Sequence, residues 1–200
     1  MRAHEVAPGV WVTARRDTGA TWPHPDDSAA AGMAGWRARE FLAGRALLRT
    51  LLAEVLPDAA RARVVPGHNG KPYLPQWPLV GISVAHDGGA VAAAVARDRP
   101  VGVDVQLPPD RLADAVIRRC LRGYAGQLTA LPPDDRAREF AWVWTAQEAC
   151  VKAAGTGLSG SPWAIDVPPR RTGGTWHDYR WISLRDLSDT PLSCAWKETP

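Results

Sequence analysis

The stretch Phe140–Leu158, FAWVWTAQEACVKAAGTGL, decides how the rest of the chain is read. Phe140, Val143, Trp144, Val151 and Ala154 recur at helical spacing and form an apolar stripe, so the segment reads as an amphipathic helix laid against a core. Glu148 and Lys152 stand one turn apart beside Trp144. Gly155, Thr156 and Gly157 then stop the helix, because glycine accepts the left-handed backbone on which helices end. Alone, the acid–base pair reads as a surface ion pair stabilising the helix by about 0.2–0.5 kcal/mol. Reading it as chemistry requires partners elsewhere in the chain.

One such partner lies upstream. Val101–Val105 is a short strand of apolar residues holding Asp104, and Gln106 falls two positions on, toward the same face. A carboxylate buried among valines is costly unless paired or bound to a cation, so Asp104 needs a counter-charge. Leu107-Pro108-Pro109 breaks the strand, and helices are expected over Arg111–Leu121, Gly123–Ala130 and Asp134–Ala154. Before it, Leu79–Ala85 and Ala90–Ala96 flank His86, Asp87, Gly88 and Gly89, a hairpin signal. A lone histidine at a strand end is commonly a satisfied structural residue. Gly67–Pro75, GHNGKPYLP, is a shaped turn with Lys71 either exposed for solubility or offered to an anion.

Further toward the N-terminus, Trp36, Phe41, Leu47, Leu48, Leu51, Leu52 and Val55 trace the apolar face of a long helix, Gly35–Leu56, ended by Pro57. Arg37, Arg39, Arg45 and Arg49 fall on its other side, where they read as a solvated basic face. Val10–Ala14 and Arg63–Val65 are brief strands, and Asp17–Ser28 is a loop rich in Gly, Pro and Asp. Downstream, Ala164–Val167, Thr175–Leu184 and Leu192–Lys197 return to strand.

At 200 residues the chain can bury a sizeable core, as one domain or two small ones in intimate contact. Hydrophobic content of 46% with 22% charged residues is that of a soluble globular protein. No apolar run approaches the roughly 18 residues of a membrane span. The start, MRAHEVAPGVWV, lacks the apolar core of a signal peptide, so a cytoplasmic protein that does not engage membranes is expected. Cys120, Cys150 and Cys194 are widely spaced and read as packed thiols, neither a disulfide framework nor a zinc site. The net charge of +3 favours an anionic partner, an acidic protein or a phosphorylated small molecule. Nucleic acid is not expected, since no aromatic–basic recognition stretch or DNA-binding motif is present.

Four features now stand in order: GKP at Gly70–Pro72, ISVAHDGG at Ile82–Gly89, VGVDVQ at Val101–Gln106 and WTAQEACVKAAGTGL at Trp144–Leu158, with the GRALLR helix before them. This succession resembles the 4'-phosphopantetheinyl transferases, in particular the larger surfactin type. That family's pattern is a GKP turn, a strand ending in SHS or a close relative, GVDxE, and WxxKEAxxK followed by a glycine-rich turn. The resemblance implies an α+β fold of two similar subdomains related by pseudo-twofold symmetry, each a small antiparallel sheet with a long helix packed on it. Residues 1–99 would form the first and residues 100–200 the second, with coenzyme A in the cleft between them.

The implied activity is transfer of the phosphopantetheine arm of coenzyme A to a serine of an apo acyl or peptidyl carrier protein, as in secondary metabolism, by a monomer that uses magnesium or manganese. By position, Asp104, Glu148 and Gln106 would face the metal, and Asp104, Glu148 and Lys152 would be catalytic. Glu148 would serve as the base for the serine, directly or through water, and Lys152 would meet the leaving phosphate. Lys71, His86, Arg45, Arg39 and Lys152 would contact coenzyme A, and the segment Arg111–Ala130, with Arg118, Arg119, Arg122, Leu121 and Tyr124, would meet the carrier. Three positions depart from the pattern: Gln106 for a glutamate, Ala85 for a serine, and Gln147 for a lysine, read as one positive charge fewer near the pyrophosphate. The alternative these departures raise is a catalytically weakened coenzyme-A-binding relative acting as a binding or regulatory partner in a biosynthetic assembly.

Overall fold

The computed structural model describes residues 2–16 and 22–198; the first five residues of the expected Asp17–Ser28 loop lie outside the described residues. The protein is α+β, with antiparallel sheets and helices packed on them. The first sheet has the order β1-β2-β6-β5, from β1 (His4–Ala7), β2 (Val10–Arg15), β5 (Gly81–Asp87) and β6 (Ala90–Ala96). A small ribbon, β3 (Val65–Pro66) with β4 (Pro72–Tyr73), brackets the GKP turn.

The central strand β6, AVAAAVA, is buried at every position, and its period of two sorts the residues between two cores. Val91, Ala93 and Val95 meet Leu47, Leu48, Leu51 and Leu52 of α1 (Gly35–Val55). Ala92, Ala94 and Ala96 meet Val101, Val103 and Val105 of β7 (Val101–Val105), which begins the second sheet. A run of alanines and valines suits a strand covered on both faces, and it brings the two sheets into one contact.

The second sheet has the order β7-β10-β9-β8, with β8 (Gly173–Trp176), β9 (Tyr179–Ser183) and β10 (Leu192–Lys197). Across β7 and β10, Asp104 pairs with Ser193. The helix α4 (Pro133–Ala154) packs on it, and α2 (Asp114–Leu121) and α3 (Ala125–Thr129) pack against α4. At Gly102 a Cβ would stand 2.1 Å from the Ala149 carbonyl and 2.4 Å from the Ala153 nitrogen, so α4 rests directly on the backbone of β7. Only glycine permits that approach. No described helix is long and apolar enough to cross a membrane.

The strands Ala90–Ala96, Val101–Val105 and Leu192–Lys197 fall where the sequence predicts them. Other expectations need correction. Thr175–Leu184 is not one strand but the hairpin β8–β9. Ala164–Val167 is not a strand: Pro162–Ala164 is a 3-10 turn, and the carbonyls of Ala164 and Ile165 are taken by the side chains of Arg122 and Gln147 instead of a neighbouring strand. Trp36 is 61% exposed, because the first buried residue of α1 is Ala43 and the helix start runs clear of the sheet. Arg49 is not on a solvated face. It is wholly buried and donates to the Ala62 carbonyl (3.1 Å) and Asp26 (3.3 Å), tying α1 to the segments on either side of it.

Candidate active site

Pro133 opens α4, Asp134 and Asp135 favour its first turn, and Gly155 ends it at φ +73°. The helix is covered by the sheet on one side and by α2, α3 and residues 161–167 on the other, so it is buried nearly all round instead of along one stripe. From Ala141 to Ala153 the residues that escape full burial are Trp144, Glu148 and Lys152, an i, i+4, i+8 line. Of these, Trp144 lies against an apolar cavity, with Phe140 stacked on it at a centroid distance of 6.4 Å, while Glu148 and Lys152 open on the cleft beside it, where residues 69–72 and β5 face α4.

Beneath it lies Asp104, 7% exposed on β7. Lys152 Nζ donates to Asp104 Oδ1 at 2.6 Å, so the partner that the buried carboxylate requires is the lysine of α4. Burial nevertheless raises the Asp104 carboxyl above its usual range, with Lys152 opposing the shift and the charge of Asp87 adding to it. Burial also raises Glu148, Asp104 adds to the effect, and Lys152 opposes it. Lys152 is thus bonded to Asp104 while its charge also opposes the burial of Glu148. Among the described residues no three His, Cys, Asp or Glu side chains gather closely enough to hold a metal ion by themselves. The pair Asp104 and Glu148 still suits a divalent cation of the kind that binds one or two carboxylates and completes its shell with water and phosphate oxygens.

Glu148 and Lys152 line a cavity of about 240 Å³ with Asn69, Lys71, Ser83 and Gly157. Lys71 reaches this cavity, but its ammonium donates to the carbonyls of Lys152 (2.6 Å), Ala153 (2.6 Å) and Val101 (3.2 Å). Gln106 lines a second, apolar cavity of about 340 Å³, with Phe140, Trp144, Trp163 and Arg119. His86, exposed at the end of β5, faces Glu40 of α1, Nδ1 to Oε2 3.2 Å. Arg39 is exposed, and Arg45 lies over the Phe41 ring, 5.0 Å to its centroid, with its Nη1 buried and unpartnered among the described residues.

Two of the departures look different in space. Gln147 does not subtract a charge near the cleft: it is wholly buried, and its Nε2 donates to the carbonyls of Cys120 and Ile165, both at 2.8 Å. Here the residue before Glu148 fastens α4 to α2 and the 161–167 segment through a neutral amide. Ala85, 3% exposed, faces the core between the sheets, so a hydroxyl there would be buried. On α2, Leu121 is buried and cannot meet a partner; Val116, 43% exposed, is the apolar group on offer beside Arg119, whose guanidinium lies 4.0 Å from the Trp163 ring centroid.

Sequence reasoning missed Asp87, whose charge reaches Asp104 and whose Oδ2 accepts from the Leu107 amide at 2.7 Å. It also missed Ser83, whose hydroxyl accepts from the Val103 amide at 3.0 Å and locks β5 to the strand carrying Asp104. The aspartate of the HDGG turn was visible as a turn former; its tertiary bond to Leu107 had no local signal.

Comparison with known proteins joins these observations to a lineage. Residues 26–96 match the family model described as the 4'-phosphopantetheinyl transferase N-terminal domain, and residues 100–198 match that of the 4'-phosphopantetheinyl transferase superfamily. The chain is 34% identical over 137 residues to the 4'-phosphopantetheinyl transferase AcpT of Escherichia coli (strain K12), covering 66% of this chain and 63% of that one. It is 30% identical over 123 residues to a 4'-phosphopantetheinyl transferase of Bacillus subtilis (61% and 54% covered) and 25% identical over 123 residues to the 4'-phosphopantetheinyl transferase Sfp of Bacillus subtilis (strain 168), with the same coverage. The matched regions thus span between about half and 63% of these relatives' lengths. With both family models in sequence order along it, the chain belongs to the 4'-phosphopantetheinyl transferase superfamily.

Proposed function

We propose that the protein is an active 4'-phosphopantetheinyl transferase, moving the phosphopantetheine arm of coenzyme A onto a serine of an apo acyl or peptidyl carrier protein. The observation that carries this reading is the convergence of Asp104, Glu148 and Lys152 on one open line of α4 above β7. In the reaction the serine Oγ bonds to the phosphorus that bears the pantetheine arm. The bond from that phosphorus to the bridging oxygen breaks, and adenosine 3',5'-bisphosphate leaves.

Each of these residues then has a task. Glu148, its carboxyl raised by burial, takes the proton from the serine Oγ, directly or through a water. Lys152 holds Asp104 with one donor, and its remaining donors meet the departing oxygen as negative charge builds there. Asp104 and Glu148, with Gln106 as a neutral neighbour, would hold a magnesium ion, which supplies positive charge to the pyrophosphate when bound. His86, with Arg45 and Arg39 on α1, receives the phosphates of coenzyme A, His86 already oriented by Glu40. The two four-stranded sheets, each with one long helix, support a pseudo-twofold arrangement of residues 1–99 and 100–200. The same proposal takes the protein as a cytoplasmic monomer of surfactin type serving secondary metabolism.

The direct test is a mass shift: the protein, coenzyme A, magnesium and an apo carrier are incubated, and the carrier gains the phosphopantetheine mass. A carrier that stays apo while coenzyme A binds would favour the alternative, a coenzyme-A-binding partner without turnover. Two further outcomes are expected. Gln106→Glu lowers the magnesium concentration for half-maximal rate by roughly twofold to tenfold, since an added charge strengthens a hard-cation site; an unchanged requirement assigns Gln106 to its apolar cavity alone. Replacing Arg118 and Arg119 together by Glu raises the carrier's KM about tenfold or more, because charge on a docking rim governs encounter, and leaves coenzyme A binding as it was. An unchanged carrier KM removes α2 from the docking face.

A further inference from the structure

The geometry points to Lys71 as the residue that fastens the last turn of α4 from the opposite side of the cleft and so sets the position of Lys152. This use differs from a phosphate contact, and it rests on the transferase reading only in that Lys152 serves catalysis.

A helix leaves its last four carbonyls without partners inside the helix. Here two of them, those of Lys152 and Ala153, each accept from Lys71 Nζ at 2.6 Å, and the third bond of the same ammonium goes to the Val101 carbonyl at 3.2 Å. Gly155 O accepts from Asn69 Nδ2 at 3.2 Å, so a second side chain of the same turn grips the same helix end. The turn is shaped for this, with Asn69 at φ +55° and Gly70 at φ +75°. Gly155 completes the fit, since a Cβ there would lie 3.3 Å from Lys71 Cδ. An ammonium has three donors and no acceptor, so all three are spent and a phosphate could be met only by giving up a carbonyl. A cation at the negative end of α4 is also placed where the helix dipole favours it.

The Lys152 carbonyl is thereby held by Lys71 while its Nζ is held by Asp104. Lys71 touches neither Asp104 nor Glu148 among the hydrogen bonds and ion pairs of the described residues and acts through the backbone of its neighbour; it is a positioning residue. Burial draws its ammonium down to about 8, so the third bond and the charge are lost as pH rises through that value. The charged groups facing the cleft are Glu148 and Lys152 of α4, with Asp104 of β7 behind Lys152, while β5 contributes only Ser83 and Val84.

The test is Lys71→Met, measured by carrier mass shift under steady-state conditions and by hydrogen exchange. The expected result is a kcat lower by about tenfold or more with the KM for coenzyme A within about twofold. The alkaline fall of wild-type kcat near pH 8 should be absent from the variant, which a loss of folded protein alone would not produce. Exchange at the Gly155 and Thr156 amides, which close the last turn onto Lys152 and Val151, should quicken about tenfold or more. A raised coenzyme A KM with kcat retained, relieved in part when 3'-dephospho-coenzyme A is the donor, would mean that Lys71 contacts phosphate and would overturn the proposal. If the variant does not fold, wild-type exchange at these amides is compared at pH 7 and 9 after correction for intrinsic rates; unchanged protection overturns it equally. If the wild type transfers nothing to any carrier, the transferase reading has failed, and the exchange measurements still decide whether Lys71 holds the helix end.

Discussion

Glu148→Gln lowers the transfer rate by about 10²–10⁴-fold, the range that a positioned general base contributes, while the protein stays folded. The replacement keeps the shape of the side chain and removes a charge that burial and Asp104 both disfavour, so the fold loses nothing it relies on. Circular dichroism and thermal melting should therefore match the wild type within a few degrees while the carrier mass shift all but vanishes. The variant also binds coenzyme A, since the residues assigned to its phosphates are untouched. A Glu148→Gln protein that transfers at the wild-type rate would sink the role of base and of metal ligand together.

Asp104→Asn should cost about as much in rate for a different reason. The carboxylate fixes Lys152 Nζ at 2.6 Å and offers charge to the metal, and an amide keeps only a weak version of the first and none of the second. Stability changes little by comparison. Removing one member of a fully buried ion pair costs about 3–5 kcal/mol because the other is stranded. Lys152, with 31% of its side chain exposed, can turn to water, and the neutral amide escapes the desolvation that burdens Asp104. A shift of less than about 2 kcal/mol in urea unfolding is expected, against a rate loss of about 10²-fold or more. Activity that falls only as far as the folded fraction falls would make Asp104 scaffolding.

The parts of this protein legible in the sequence are those governed by local period. The strands Ala90–Ala96, Val101–Val105 and Leu192–Lys197 and both long helices declare themselves by burial pattern and by Pro or Gly at their ends. The pairing of Asp104 was legible as a need, because a carboxylate among valines demands a counter-charge, and the structure supplies Lys152. What sequence could not show was which neighbour each polar group had found. Gln147 reads as a residue of the cleft until the carbonyls of Cys120 and Ile165 are placed around the position and show it buried between α4, α2 and the 161–167 segment. Arg49 reads as surface on any wheel, yet Asp26 and the Ala62 carbonyl, contributed by other segments, make burial affordable for it. Lys71 was visible as the tip of a turn, but the helix end it reaches lies some eighty residues along the chain.

The contact of α4 with β7 at Gly102 bears on how the site tolerates change. Asp104 and Glu148 sit on two elements whose backbones are in direct contact, so the close approach of α4 to β7 depends on the missing methyl group of Gly102. At position 102 the smallest enlargement acts as a wedge, prising the catalytic helix from the strand beneath and spreading the acids apart.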